Sequence, residues 1–488
     1  MLGLIMAIID TSIVNVALPS MAGNLGASVD EISWVATGYI LANVVIMPLN
    51  GYLTALFGRK AFYTGCLVIF TISSLFCGVS GSVEQLIFWR IIQGIGGGAL
   101  QPTAQSILFE SYPPEKRSAA MAIFGLGAMV GPAIGPTLGG YIVDNFSWPL
   151  IFFINLPIGI VAFFMALAFV KDPAYIEKPK RGVDWLGLSA MTVGISSLQY
   201  VLERGQRDDW FSSGSIVILS LVSAGALVFF VLRVLGQDEP FVDLRVFASR
   251  SFAAGNVIGI VSGFGLYGLN LVLPLFFQNV LGFDAWQTGV ALLPGAIATA
   301  LSMPLAGRIV SFVDGRISIA AGLLMFAIGS WMLGGLNGTA GFWDIFWPRV
   351  LQGFALGFLF VPMTTATLAG IPNSKMANAT GLYTLVRQLG GSFGIAILEL
   401  LETRREDYAQ AQLAGGVSLS NPAVGAMLSN HPNGGVGMLS AMVNSAAVVL
   451  SYDYVFRVCA IVFLVSIPTV LLLRFPKGKA AAHAPVAE

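Results

Sequence analysis

Apolar residues run along this chain in long blocks, separated by short clusters of charged and turn-forming residues. Fourteen such blocks stand near 1–22, 34–56, 61–80, 84–108, 117–140, 148–170, 184–203, 214–235, 252–279, 287–311, 317–337, 343–370, 377–402 and 452–474. Most run to about the 18–20 apolar residues that carry a helix across a bilayer core of about 30 Å. The short alternating segments of a membrane barrel, the other way to satisfy every backbone group in lipid, do not occur. The pattern therefore predicts an all-α integral membrane protein with 14 transmembrane helices.

Charge fixes the sidedness. An even number of helices puts both termini on one face. If that face is cytoplasmic, only Arg204, Arg207, Arg404, Arg405 and Arg457 fall outside. The other basic residues fall inside, with Arg90, Arg349 and Arg387 left within the membrane, as the positive-inside rule requires. Composition agrees: 56% of residues are hydrophobic and 10% charged, against roughly 25% charged in soluble domains. The net charge is zero and the basic residues are scattered, which excludes a nucleic-acid surface. The three cysteines, Cys66, Cys77 and Cys459, lack metal-ligand spacing and read as packing residues, and no metal site is expected. The first apolar run has no basic n-region and no cleavage site, so no cleavable signal is expected. Residues 403–451, rich in Gly, Ala, Ser and Asn, read as an external stretch with room for a short helical hairpin, and 476–488 as a disordered cytoplasmic tail.

An internal repeat organises the helices. MPLNGYLTALFGRKAFYTG at 47–65 returns as MPLAGRIVSFVDGRISIAAG at 303–322. At a constant offset of 259, Arg90, Gln93, Gly94, Gly98, Gly131 and Gly135 match Arg349, Gln352, Gly353, Gly357, Gly390 and Gly394. Two homologous halves in the same orientation follow: 1–170 and 252–474, with two inserted helices over 184–235. Parallel six-helix halves imply alternating access.

Several residues carry chemistry. Nine residues of helix precede Asp10, placing it about 14 Å into the bilayer. A carboxylate there costs roughly 2.5–3.5 kcal/mol on insertion scales and suits a proton carrier that also pairs with a cationic compound. The plainer reading is a structural Asp bonded to Thr11, Ser12 or a neighbouring helix. Arg90 reads as a partner that tunes a carboxylate or as a clamp on backbone carbonyls. Arg349 reads as structural, with Asp344 as its candidate partner, and Arg387 as a contact for an anionic substrate or a member of a polar network. Candidates to line a substrate cavity are Asn15, Tyr39, Asn43, Gln93, Gln101, Asn270, Phe276, Gln278, Gln352, Tyr383 and Gln388, together with Asp10 and Arg387; some of them read equally as interhelical hydrogen bonds. Gly131, Gly135 and Gly139 make a smooth groove on one face of helix five, beside the kinking Pro132 and Pro136. Gly51, Gly58, Arg59 and Lys60 form a hinge and latch between helices two and three. GIGGGA at 94–99 has the spacing of a dinucleotide loop but lies mid-helix in lipid, so a packing role is expected. His431 and His483 are too isolated for catalysis or metal binding.

The motifs IDTSIVNVALP (9–19), WVATGYILA (34–42), GYLTALFGRK (51–60), RIIQGIGGGALQP (90–102), GLGAMVGPAIGPTLGG (125–140), WPLIFFINLPIG (148–159), VDWLGL (183–188), VLERGQRDDWF (201–211) and LPLFFQNVLGF (273–283) carry a resemblance over almost the whole chain. It resembles the major facilitator superfamily, in the 14-helix drug:proton antiporter family of EmrB/QacA-type efflux permeases. The resemblance implies export of lipophilic drugs across a bacterial inner membrane, with Asp10 as the helix-one acid, Arg90 in proton transfer and the helix-five motif as an exporter's mark. It also implies a periplasmic membrane-fusion adaptor and an outer-membrane channel as partners. Two departures stand out. Ala55 occupies the place of the superfamily's loop Asp, so any charge lock there must be weakened or rebuilt. The start before Asp10 is shorter than the resemblance implies, which leaves a start upstream of Met1 open. No P-loop is present, which makes the proton gradient the energy source with no cofactor. A proton-coupled importer of a small organic solute and a transporter-like sensor remain the alternatives; catalytic spacing of His, Cys or paired acids is lacking, so an enzyme is not expected.

Overall fold

The computed structural model describes residues 1–176, 178–179, 182–310, 312–417, 424–426 and 435–473. The long helices are α1 (Leu2–Leu25), α2 (Val29–Phe57), α3 (Arg59–Gly78), α4 (Val83–Ser111), α5 (Arg117–Asn145), α6 (Leu150–Phe169), α7 (Trp185–Arg204), α8 (Gly214–Leu235), α9 (Arg250–Asn279), α10 (Ala285–Ile309), α11 (Gly315–Leu333), α12 (Phe342–Leu368), α13 (Met376–Gly416) and α14 (Gly435–Ser466). Thirteen of them are long and apolar enough to cross a bilayer. The other is α4, whose sequence includes Arg90, Gln93, Gln101 and Gln105 and which packs between α2 and α3 inside the bundle.

Local chemistry sets the helix ends. Ser28 and Glu31 form a capping box at the start of α2, and Asp284 and Gln287 form another at the start of α10. Gly58, at φ 85°, turns α2 into α3 within one residue, a backbone conformation that disfavours side chains. A short break at Ile154 divides α6. Pro157 lacks the N–H that would bond back to the Phe153 carbonyl.

The packing follows the repeat. In the first half, α1 packs on α5, α2 on α4, and α3 on α4 and α6; in the second, α9 packs on α13, α10 on α12, and α11 on α12 and α14. The two inserted helices pack on each other, and α7 also lies against both α2 and α13. On one side Arg204 reaches Asp30 and donates to Ser33 Oγ at 3.0 Å; on the other, Gln199 donates to Ser392 Oγ at 2.8 Å and Gln206 to Thr403 Oγ1 at 3.1 Å.

The stretch 403–451 is more helical than a loop with a short hairpin. Helix α13 continues unbroken to Gly416, and α14 begins at Gly435, so most of that stretch is a two-helix hairpin. Gln410 donates to Asn444 Oδ1 at 2.8 Å, and Arg405 lies over the Tyr408 and Tyr454 rings. Charged helix formers from Glu402 to Gln412 end the apolar run without ending the helix. Helix fourteen therefore starts earlier than expected and closes in a 3-10 turn, Ile467–Leu472. The tail 476–488, His431 and His483 lie outside the described residues.

Candidate functional site

Asp10 lies at the heart of the first half. Its neighbours Ile8 and Ser12 abut Gly131 and Gly135, midway along α5, so the carboxylate sits at mid-bundle depth. It is 1% exposed and receives three side-chain hydrogen bonds. Arg90 Nη1 donates to Oδ2 at 2.6 Å, while Gln93 Nε2 and Asn155 Nδ2 donate to Oδ1 at 3.0 and 2.7 Å. Arg90 also donates from Nε to the Val35 carbonyl at 3.1 Å and from Nη1 to Gln93 Oε1 at 2.7 Å. Its guanidinium lies 4.2 Å from the Tyr39 ring centroid. Asn155 continues the chain to Ser74 Oγ at 3.0 Å. One carboxylate thus ties together α1, α2, α3, α4 and α6. A buried pair of this kind is costly to break, by roughly 3–5 kcal/mol when one partner is removed.

The helix-five glycines explain how α1 can sit so close. Gly131, Gly135 and Gly139 are buried against Ile8, Ser12 and Ile13; a side chain at the first two would collide with α1 and at the third would press tightly on it. The opposite aspect of α5 presents Pro136 and Thr137 to a narrow cleft of about 90 Å³, bounded also by α9, α10 and α12. Helix α5 therefore touches both the carboxylate helix and the cleft between the halves. The side chain of Pro132 lies outside the described set.

The cleft gathers some of the predicted lining residues and leaves others out. Asn270 and Gln352 line it, with Arg349 beside them. Asp10, Tyr39 and Gln93 are sealed inside the first half instead. Phe276 is also misplaced by the cavity expectation, since it packs in a buried aromatic cluster with Tyr452 and Phe456. Tyr383 is buried with its hydroxyl 3.2 Å from Thr364 Oγ1. Arg387 is buried over the Phe360 ring, and its Nε has no partner. Asn15 and Gln278 are exposed, and Asn43, Gln101 and Gln388 are half-buried; none of these five lines the cleft. Asp344 does not pair with Arg349. Its Oδ2 accepts from the Gly341 N–H at 2.9 Å, capping α12, while Arg349 Nη1 donates to Gln352 Oε1 at 2.9 Å.

At the predicted cytoplasmic face the loop lock is rebuilt without an acid at Ala55. Arg59 pairs with Glu110 at 2.8 Å, Tyr175 donates to the same carboxylate, and the Lys60 N–H donates to Asp172 Oδ1 at 2.9 Å. On this face the halves also meet. Asn50 donates to the Ala377 carbonyl at 2.9 Å and accepts from Thr103 at 2.6 Å. Gly51 lies directly against Asn378, which exchanges hydrogen bonds with the Asp243 backbone. These contacts close the bundle at one end, while the cleft lies toward the other.

Sequence reasoning missed Asn155 and Glu110. Asn155 stands in the apolar run FFINLPIG, where a lone amide beside a proline was the only sign. Glu110 has no motif mark at all.

Two packed repeats of six membrane helices, a cleft between them and a buried ion pair within one repeat define a secondary-transporter architecture. The chain belongs to the Major Facilitator Superfamily, whose family model matches residues 1–395. Among curated proteins, it is 36% identical over 480 residues to the multidrug export protein EmrB of Escherichia coli K12, covering 97% of this chain and 94% of that one. It is 34% identical over 484 residues to the fatty acid resistance protein FarB of Neisseria gonorrhoeae, covering 97% and 95%. Its fold resembles the human organic anion transporter MFSD10, at TM-score 0.63, 15% identity and 96% and 97% coverage. It also resembles the proton:xylose symporter XylE, at TM-score 0.59, 16% identity and 94% and 92% coverage.

Proposed function

We propose that this protein exports lipophilic small molecules across a bacterial inner membrane in exchange for protons, by alternating access, with both termini in the cytoplasm. The export named for the Escherichia coli relative supports the direction. The observation that carries proton coupling is the Asp10 quartet. An ionised Asp10 holds Arg90, Gln93 and Asn155 around it and so fastens α1 to α4 and α6. Protonation removes the charge that these donors answer and frees α1 to shift along the glycine face of α5. Because the other aspect of α5 borders the cleft, that shift reaches the cargo. Moving a two-state equilibrium from 1:99 to 99:1 takes about 5.5 kcal/mol, and the roughly 3–5 kcal/mol tied up in a buried pair is of that order. The proton gradient supplies the energy and no cofactor takes part.

The α13–α14 hairpin supports a partner on the outside. Helix α13 has 41 residues, about 60 Å at 1.5 Å per residue, twice the bilayer core. The projecting part is the surface assigned here to a periplasmic adaptor, which would lead to an outer-membrane channel. Native-membrane pull-downs that recover the permease without an adaptor would count against that partner.

Transport is tested in inverted vesicles with an imposed pH gradient, comparing wild type with Asp10→Asn. Gradient-driven drug uptake is expected in wild type and is expected to vanish in a normally inserted variant. Intact coupling in Asp10→Asn would remove Asp10 from the mechanism.

A further inference from the structure

The two halves handle their membrane-embedded arginines differently, with Arg90 buried and Arg349 half-buried, and the difference points to the cargo. Arg349 stands at the repeat position of Arg90, and Gln352 at that of Gln93. Contacts of α1 and α9 extend the equivalence: Ile8 and Ser12 lie against Gly131 and Gly135, as Ile260 and Phe264 lie against Gly390 and Gly394. On that register the counterpart of Asp10 is Ser262, whose hydroxyl is buried and donates back to the Gly259 carbonyl at 2.8 Å. Arg349 therefore has no counterion from the position that supplies one to Arg90.

The ring over the guanidinium is missing as well. Gly94 lies against the Tyr39 carbonyl and Gly353 against that of Gly295, so Gly295 takes the place of Tyr39. A Cβ at Gly295 would stand only 2.8 Å from Arg349 Nη2, so the glycine keeps open the space that the tyrosine fills in the other half. Arg349 makes one hydrogen bond, to Gln352, and its Nε has no partner. Among the described residues it makes no ion pair, and those lining the cleft include no Asp or Glu. Around it stand Asn270 and the apolar Leu269, Leu292 and Phe326.

We propose that this cleft binds amphipathic anions, with the Arg349 guanidinium holding a carboxylate or sulfonate head and the apolar wall taking the body. This rests on the transport reading above and names the class of its cargo. A guanidinium is a planar fork of five donors, suited to two-point binding of such a head. An uncompensated cation in a low-dielectric cleft is costly, and a bound anion supplies the missing charge. Asn270 adds an amide donor beside the head.

The test measures binding, which needs no pH gradient and so separates this inference from the transport reading. The probes are 2-naphthylacetate, its methyl ester and (2-naphthylmethyl)trimethylammonium, matched in ring and different in charge. Titrations use the full chain in phosphatidylcholine nanodiscs. We expect wild type to bind the acid at least tenfold more tightly than either analogue. Arg349→Gln should erase that preference while the ester binds as before, and Arg349→Lys should retain part of it. A cation that binds as tightly as the acid, a preference that survives Arg349→Gln, or no binding of any probe would overturn the proposal. Discs containing phosphatidylglycerol identify the source of the anion: displacement of the acid at lipid-level concentrations would make a lipid headgroup the occupant and overturn the cargo assignment. Loss of gradient-driven transport with the anion preference intact would instead fault the transport reading alone.

Discussion

Arg90 and Arg349 occupy matching places in the two halves, yet one is saturated and the other is not. Arg90 has a carboxylate at 2.6 Å, a carbonyl, an amide and a tyrosine ring. Arg349 has one amide. Duplication supplied the same cation twice, and two nearby differences, Asp10 against Ser262 and Tyr39 against Gly295, set the two apart. The first half keeps its charge balance internal, and the proposed proton exchange would act there. In the second half the balance is left open toward the cleft, where a ligand can complete it. A transporter that couples two species needs this division, because one site fully occupied by its own residues cannot also select cargo.

The largest effect that tests this contrast is expected from Asp10→Asn, which leaves Arg90 as unbalanced as Arg349. Gradient-driven export should fall to the level of vesicles without the protein. Thermal unfolding in detergent should shift downward, reflecting a loss on the scale of 3–5 kcal/mol, about that of a broken buried pair. Next comes Ser262→Asp, which installs in the second half the counterion it lacks. It is expected to lower affinity for the naphthyl acid at least tenfold while leaving the ester unchanged, as measured in the same nanodiscs; unchanged acid affinity would break the equivalence between the halves. Asn155→Ala removes one of three donors to Asp10. Hydrogen bonds to charged groups contribute about 1.5–3 kcal/mol, so initial export rates should drop without disappearing, with a smaller loss of thermal stability than in Asp10→Asn.

The smallest effect lies outside both halves. Asp184, just before α7, accepts three hydrogen bonds from Arg233, two from Nε and one from Nη2, at 2.7–2.9 Å and one from Gln237 at 2.6 Å. The Arg233 guanidinium holds its carboxyl down at about 2. A carboxyl depressed on folding stabilises fully above its unfolded value of about 3.9, and the contribution is lost as pH falls through the folded value. The gap in melting temperature between wild type and Asp184→Asn should stay constant from pH 7 to 5 and narrow below pH 4. A gap that widens toward acid would contradict the pairing.

How far the sequence could be read depended on what kind of signal each feature left. Helices and the repeat announce themselves because lipid demands long apolar runs and duplicated glycines sit where backbones touch. Asp10 and Arg90 stood out as charges in such runs, but their contact at 2.6 Å is between residues 80 positions apart, and no local pattern encodes it. Asn155 stayed hidden because an amide scarcely disturbs an apolar run. Asp344 was misassigned because proximity in sequence favoured Arg349, whereas a carboxylate in a first helical turn is better placed to accept the free backbone N–H groups there. Helix α13 was cut short at 402 because loss of apolarity marks the edge of the bilayer, not the end of a helix.

Helix α7 is bonded to α2 through Arg204 and to α13 through Gln199 and Gln206. These bonds all stand at the C-terminal end of the helix, which there bridges the seam that the proposed cycle must open. Each swing of the halves would have to unpin one side, so the bridge would work as a brake. On the proposed cycle the pace of transport would be set partly by a helix that lines neither the Asp10 quartet nor the cleft. Softening its grip, by replacing Gln206 for instance, is where a faster or leakier pump would be found.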